Sequence, residues 1–330
     1  MGCSRKVKHL SVQKNIVRVI GTQVGWHDSS NAQKRRVQSP LSPQLPPNPL
    51  RSEGRTMHSN LRLSKKQYLY IPVSLKEQID RLQPIGLDEI GDADLMNRLD
   101  QKYLIRKEWI STLLSECEND YQILEVGGKR ITTYSNQFID NPDLESFNEH
   151  IRGRKSRFKA RIRNYGSNGL SFLEVKRKTV HGRTVKARIS RSNDNAWNAP
   201  LTEEEINFLN ANYAYENGEM LGMSSTFNRI TLVSTALNER ITIDTDLVFF
   251  GEKKEEGLGS LAIMEVKQER INRFSPLLIA LRAFRFSTPP LARRTNLSKY
   301  IVGTLLLNRN LESKRYRSAM KRIKHLKKET

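Results

Sequence analysis

Between Arg157 and Lys178 the sequence RFKARIRNYGSNGLSFLEVKRK carries charge at alternate positions. Arg157, Lys159, Arg161 and Arg163 interleave with Phe158, Ala160 and Ile162. After the turn-rich Gly166-Ser167-Asn168-Gly169, Glu174, Lys176 and Lys178 interleave with Leu173 and Val175. Residues two apart on a strand share a face, so the stretch is predicted to be a hairpin with one apolar face and one dense in guanidinium, ammonium and carboxylate. Such a face either looks at water, as on many antiparallel sheets, or lines an enclosed polar site.

The same device recurs. Asp100 and Lys102, Arg240 and Asp244 with Asp246 beyond, and Glu265 and Lys267 each share a parity opposite apolar neighbours, and Lys186 and Arg188 share another. Polar alternation on a half-exposed strand is the ordinary case. Repetition across at least five strands favours an α+β fold in which an antiparallel sheet, covered by helices outside, closes into a barrel with these groups in its lumen. Clustered Arg and Lys need counter-charge, which points to a bound polyanion, and carboxylates among them point to a divalent cation shared with it. Arg forks onto phosphate oxygens and Lys acts as a point charge. Glu265 and Glu174 are hard oxygen donors suited to Mg²⁺ or Mn²⁺. A metal-bound chain of phosphates, and phosphoryl transfer upon it, is the chemistry these residues serve.

Around these strands the chain must supply helices. Helical patterning is expected from Lys65 to about Asp100, over Trp109–Cys117 and after Asn141-Pro142-Asp143. It is expected again over Leu201–Leu209, where Thr202 and Glu205 form a capping box, and over Pro276–Phe286 and Ser298–Leu307. Further strands are expected over Lys129–Asp140, Arg183–Ile189 and Thr226–Ser234. The 330 residues carry a net charge of +21, unevenly placed. Residues 1–56 hold 10 Lys/Arg against 2 acids, residues 308–330 hold 9 against 2, and the body between holds 37 against 31. A folded body so nearly balanced argues against a broad nucleic-acid-binding surface. Residues 1–60 read as a disordered, basic, Pro-rich extension, 61–307 as the catalytic domain, and 308–330 as a basic tail with helical character. Two cysteines, Cys3 and Cys117, build no disulfide framework within one chain and fit a reducing, cytoplasmic setting. No apolar run reaches the roughly 20 residues of a membrane span. His150 and His181 show no ligand spacing.

The order D-x-K-Y (Asp100–Tyr103), F-K-A-R-I-R (Phe158–Arg163), E-V-K-R-K (Glu174–Lys178), the Arg229 strand, R-I-T-I-D (Arg240–Asp244), M-E-V-K (Met264–Lys267) and S-K-Y (Ser298–Tyr300) resembles the catalytic domain of the VTC polyphosphate polymerases, within the triphosphate tunnel metalloenzymes. The resemblance spans about 64–307 and rests on the order of motifs that are individually short. It implies a β-tunnel that transfers the γ-phosphate of ATP to a growing polyphosphate chain with Mn²⁺ or Mg²⁺. Lys102, Arg161, Arg163, Lys176, Arg229, Arg240 and Lys299 would hold phosphates, the first, second, third and fourth of these binding ATP. Glu265 would bind the metal, with Glu174 and Asp244 as further carboxylates and Lys267 as a tunnel-face residue. A triphosphate hydrolase on the same tunnel and a non-catalytic polyphosphate- or nucleic-acid-binding protein are the alternatives. Fungal members add a sensor domain and membrane helices for which this sequence has no room. Export would then need a separate membrane protein, with this chain soluble or peripheral to the membrane. Asn296 stands where relatives tend to carry a further base before S-K-Y.

Overall fold

Strand alternation and helical periods resolve into nineteen elements in the computed structural model, which describes residues 74–90, 99–180, 184–192, 199–213, 220–284 and 292–328. The expected N-terminal extension and the His181 turn lie outside those residues. In chain order the elements are α1 (Leu75–Arg81), β1 (Pro84–Ile85), β2 (Leu99–Arg106), α2 (Ile110–Ser115), β3 (Gln122–Leu124), β4 (Ile131–Asp140) and α3 (Glu145–Arg152). Next come β5 (Arg157–Tyr165), β6 (Ser171–Lys178), β7 (Thr184–Arg191), α4 (Glu203–Asn212), β8 (Met220–Ser234) and β9 (Glu239–Phe250). The last are β10 (Glu255–Gly257), β11 (Leu261–Gln268), α5 (Pro276–Phe284), β12 (Ala292–Arg294), α6 (Lys299–Leu307) and α7 (Arg317–Lys328). The Arg157 hairpin is β5 and β6, closed by a turn in which Gly169 takes φ +70°, a left-handed conformation that suits glycine.

The strands form one large sheet in the order β12-β2-β11-β9-β8-β4-β5-β6-β7, with β1, β3 and β10 at its margin. Every pairing is antiparallel except β1 with β3. The expectation of a closed barrel needs correction: among the described residues the hydrogen-bonded path ends at β12 and β7, which do not pair. The three residues of β12 pair with β2 alone, so no ladder runs on to β7. The sheet nevertheless curls. β2 and β5 are five strand spacings apart, about 24 Å if flat, yet Lys102 Nζ of β2 donates to Leu297 O (3.2 Å) and Lys159 Nζ of β5 to Ser298 Oγ (3.2 Å).

One parity of each strand packs outward under helices. Ile241, Ile243, Met264 and Val266 meet α2 and α5 in one cluster, and Ala160, Ile162, Leu173 and Val175 meet Leu209 of α4 in another. The Thr202–Glu205 capping box starts α4, and the buried Glu205 carboxylate also receives both 2.9 and 3.0 Å bonds from Arg191 of β7, fixing that helix to the sheet. Inward, one end of the concave face is filled by α6 and α7, whose Tyr300, Ile301 and Ile323 join Leu104, Phe138, Phe227 and Phe249.

Asp140, at the end of β4, accepts the amides of Asn141, Ser146 and Phe147 at 2.9–3.0 Å and the hydroxyl of Tyr300. It thereby holds the start of α3 and of α6 to one strand. Gly303 lets α6 sit this deep, because a Cβ there would collide with Met223 and stand 2.5 Å from the ring of the fully buried Phe249. Gly303→Val should therefore destabilise the fold by about 1–3 kcal/mol through overpacking, read as a lower midpoint in thermal unfolding. An unchanged midpoint would mean that α6 does not seat against Phe249.

Candidate active site

On the β2–β11–β9–β8 side, cross-strand register sets the site. Glu265 stands opposite Lys102 on one side and Thr242 on the other, and Asp244 stands opposite Arg229. Glu265 receives Lys267 at 2.9 Å and Lys102 at 3.6 Å. Asp244 receives Arg229 through two bonds, 2.6 and 2.9 Å, and also the Lys299 ammonium from the first turn of α6. Arg240, in register with Lys267, continues the row. Because β-strands alternate, all these residues are inward by the same parity that sends Ile241, Ile243 and Met264 outward.

The β4–β5–β6 side is the charged face of the hairpin. Arg161 forks onto Glu174 at 2.6 and 2.8 Å, and each of the two side chains is 12% exposed. Arg163 donates to Asn136 Oδ1 at 2.9 Å, and Lys159 lies beside Lys176 in the ladder. Aromatic rings form the floor between the two sides. Tyr134 stacks on Phe227 at 5.4 Å and carries Arg229 at 4.8 Å and Arg163 at 5.4 Å. Phe227 also carries Lys299 at 4.4 Å, and Phe138 carries Lys159 at 5.2 Å. Ring faces of this kind favour cations where water is scarce.

The balance of charge is lopsided. Among the described residues, Lys102, Lys159, Arg161, Arg163, Lys176, Arg229, Arg240, Lys267 and Lys299 outnumber the carboxylates that share their faces, which are Glu174, Asp244, Glu265 and, in register with Lys267, the exposed Asp100. Glu174, Asp244 and Glu265 are each already ion-paired. Burial opposes ionisation of all three carboxylates, but adjacent cations win. Arg161, Arg163 and Lys176 hold Glu174 at about 2, and Arg229 with Lys299 and Lys102 with Lys267 keep Asp244 and Glu265 well below the usual range. The lysines bear the opposite strain. Burial, and then Arg161, Lys102, Lys176 and Lys299, push Lys159 well below the ordinary lysine range. The charge of Arg161, followed by burial, brings Lys176 to about 6. Burial brings Lys267 and Lys299 to about 8, offset by Glu265 and Asp244 respectively. A concave surface so disposed takes up anions.

Of the residues anticipated from sequence, Lys102, Arg161, Arg163, Lys176, Arg229, Arg240 and Glu265 all lie on this inward strand parity, as does Lys267, and Lys299 reaches the same face from α6 through Asp244. Glu174 and Asp244 lie there too, but in separate ion pairs, and no group of three or more His, Cys, Asp or Glu that could hold a metal occurs among the described residues. Lys159, Tyr134 and Asn136 were not anticipated as site residues. Lys159 shares the parity of Arg161 and Arg163, and Tyr134 and Asn136 that of Phe138, so the signal was present in the alternation. Asn296 is exposed. His150 is half-buried, with Nδ1 2.8 Å from the Ser146 carbonyl.

Comparison with known proteins adds the following. A family model described as the VTC domain matches residues 97–308. A search of curated proteins finds no match. Among solved structures, a candidate adenylate cyclase from Vibrio parahaemolyticus is 15% identical over 62% of this chain and 97% of its own, with a TM-score of 0.37. HpAC1 from Hippeastrum, for which a dominant triphosphatase activity is described, is 12% identical over 66% of this chain and 99% of its own, with a TM-score of 0.37. PH1819 from Pyrococcus horikoshii OT3 is 10% identical over 63% and 98%, with a TM-score of 0.34.

The lowered lysines make a prediction with two opposite signs. Lys176 titrates at about 6 and Lys267 and Lys299 at about 8, below the ordinary 10.5, so between these values the unfolded chain binds more protons than the folded one. The ligand-free protein should gain stability as pH rises from about 6 towards 10.5, from Lys176 across the whole range and from Lys267 and Lys299 above about 8. Long-chain inorganic polyphosphate, whose internal phosphates keep one charge each across this range, favours the charged amines. Its affinity should fall over the same range, and its binding should take up protons. Calorimetric titration in buffers of different ionisation enthalpy reads the proton uptake; release of protons would show that these amines do not face the ligand.

Proposed function

Since the chain belongs to the VTC-domain family, we propose that it is a metal-dependent ATP:polyphosphate phosphotransferase, and that its curled sheet serves as a tunnel wall around the phosphates. The observation that carries this reading is the excess of inward cations over the few carboxylates among them, of which Glu174, Asp244 and Glu265 are each already paired. Neutralising that excess calls for a linear anion with a charge at every unit, which is what a triphosphate or a polyphosphate supplies. Lys102, Arg161, Arg163, Lys176, Arg229, Arg240 and Lys299 hold its oxygens, with Lys159 added to the set. The Arg forks fix orientation while the Lys ammoniums offset charge.

A hard divalent cation fits the donor set in one way. Among the described residues there are isolated carboxylates and no cage, and Glu265, with its side chain 19% exposed against 2% for Asp244, is the more accessible of the two on the β9–β11 side. Mg²⁺ is ordinarily held by one or two carboxylates together with substrate phosphate oxygens, and Mn²⁺ accepts the same donors. Held there, such an ion would supply neutralisation of the phosphate charge. Glu265 would hold it. Asp244 instead serves as a clamp between Arg229 and Lys299.

In the reaction, the bond from the β–γ bridging oxygen of ATP to the γ-phosphorus breaks, the electron pair leaves with ADP, and a terminal oxygen of the chain bonds to that phosphorus. The protein contributes alignment and charge stabilisation more than covalent chemistry. A hydrolase on the same residues would differ only in using water as acceptor. ATP as donor suits a cytoplasmic site. No helix among the described residues is long and apolar enough to cross a membrane, and passage of the product across a bilayer would fall to a separate membrane protein.

Incubation with ATP and Mn²⁺ or Mg²⁺ should yield long-chain polyphosphate and one ADP per phosphate added. Orthophosphate without polymer would replace the polymerase by the hydrolase. Glu265→Gln should keep its melting temperature within a few degrees and lose about a hundredfold in turnover. Undiminished turnover in a folded Glu265→Gln protein would remove Glu265 from metal binding.

A further inference from the structure

The site's basic row does not stop at the concave face. Arg157 shares the parity of Lys159, Arg161 and Arg163 and lies at the outer end of β5, where its Nη1 donates to Arg154 O at 2.6 Å. Beside it stands Arg315, just before α7. The Arg315 guanidinium rests on the backbone of Gly153, the left-handed residue that ends α3, so closely that a Cβ there would collide with it. A helix C-terminus attracts a cation, which seats Arg315 firmly. Partial burial, and then Lys159, Arg157 and Arg315, keep the half-buried His150 neutral. Basic side chains thus run from the site to the foot of α7, with Glu149 the acid that also acts on Arg157.

From there α7 extends it. The helix docks through Ala319, Ile323 and Leu326, all at most 3% exposed, with Tyr316 ahead of them. Lys327 ties its far end to Glu256 and to the Gly257 carbonyl at 2.9 Å. The opposite face presents Arg317, Lys321, Lys324 and Lys328, all exposed, and the helix contains no acid. These four positions fall at intervals of four, three and four residues, one stripe along about 16 Å of helix. A membrane-surface helix would use its apolar face to enter the lipid, but here that face is in the core, alongside Phe249 and Tyr300. The exposed stripe is left for an anion in water.

We propose that the exposed face of α7, reached by way of Arg157 and Arg315, binds the polyphosphate chain outside the site, as a surface track for the part of the polymer not held by the tunnel wall. The proposal rests on the phosphotransferase reading for its ligand, and goes beyond it in assigning a second binding surface outside 97–308, the residues that match the VTC domain.

The test uses the full chain with Arg317, Lys321, Lys324 and Lys328 all changed to Ala, exposed positions whose loss should leave the melting temperature unchanged. Affinities are measured for preformed long-chain polyphosphate and for tripolyphosphate, each over a series of salt concentrations, with duplex DNA and anionic phosphatidylserine vesicles as comparisons. Expected is about tenfold weaker binding of the long chain with a shallower salt dependence, and unchanged binding of tripolyphosphate. Undiminished long-chain affinity overturns the proposal. So does an equal loss for both phosphates, or a loss confined to DNA or to vesicles, which would assign the stripe to that polyanion. Because the polymers are preformed, a protein that makes no polyphosphate from ATP still reports on α7. Failure of wild-type protein to bind tripolyphosphate would count against the tunnel reading alone.

Discussion

Cations set side by side away from water lose hydration and repel one another, and the interior of this sheet holds them in quantity. The fold meets that constraint with few acids, each used as a bridge. Glu265 joins Lys102 of β2 to Lys267 of its own strand, Asp244 joins Arg229 of β8 to Lys299 of α6, and Glu174 locks Arg161 across the hairpin. Aromatic faces do part of the remainder, Tyr134 between two guanidiniums and Phe227 beneath an ammonium and a guanidinium. What is left over is electrostatic strain, carried mostly by Lys159 and Lys176. Phosphate would relieve it, so stability given up in the free protein becomes affinity for the anion.

Curvature of the sheet rests on a short segment. Residues 297–300 reach four different strands in succession: the Leu297 carbonyl takes Lys102 of β2, the Ser298 hydroxyl takes Lys159 of β5, Lys299 meets Asp244 of β9, and Tyr300 meets Asp140 of β4. An S-K-Y motif read alone looks like one phosphate-binding lysine with neighbours. In the fold each neighbour is a tie, and the lysine is positioned because the residues around it are.

Face assignment was legible in the sequence because period-two alternation depends only on adjacent residues. Phe158, Ala160, Ile162, Leu173 and Val175 went outward and Arg161, Arg163 and Lys176 inward as the pattern required. What alternation cannot carry is register between distant strands. Whether Asp244 meets a metal or a guanidinium is decided by the pairing of β8 with β9, and its second partner comes from 55 residues away on α6. Alternation marks Lys159 as inward, but its neighbours Lys102 and Ser298 come near only through the curl, which no local pattern carries. Closure of the sheet was over-read, since inward charge on several strands is equally compatible with a curled sheet whose ends do not pair.

That unpaired end has its own consequence for the protein in a crowded solution. Among the described residues β7 is the last strand on its side, so one row of its backbone amides and carbonyls has no neighbouring strand. Such a row is a template for pairing with a second molecule. Here it is flanked by exposed Lys186 and Arg188, the latter over the ring of Phe172 at 4.6 Å, and a second β7 brought alongside would oppose ammonium and guanidinium to their own kind. The charges that continue the ligand-binding pattern to the margin of the sheet thus also act as gatekeepers against edge-to-edge aggregation.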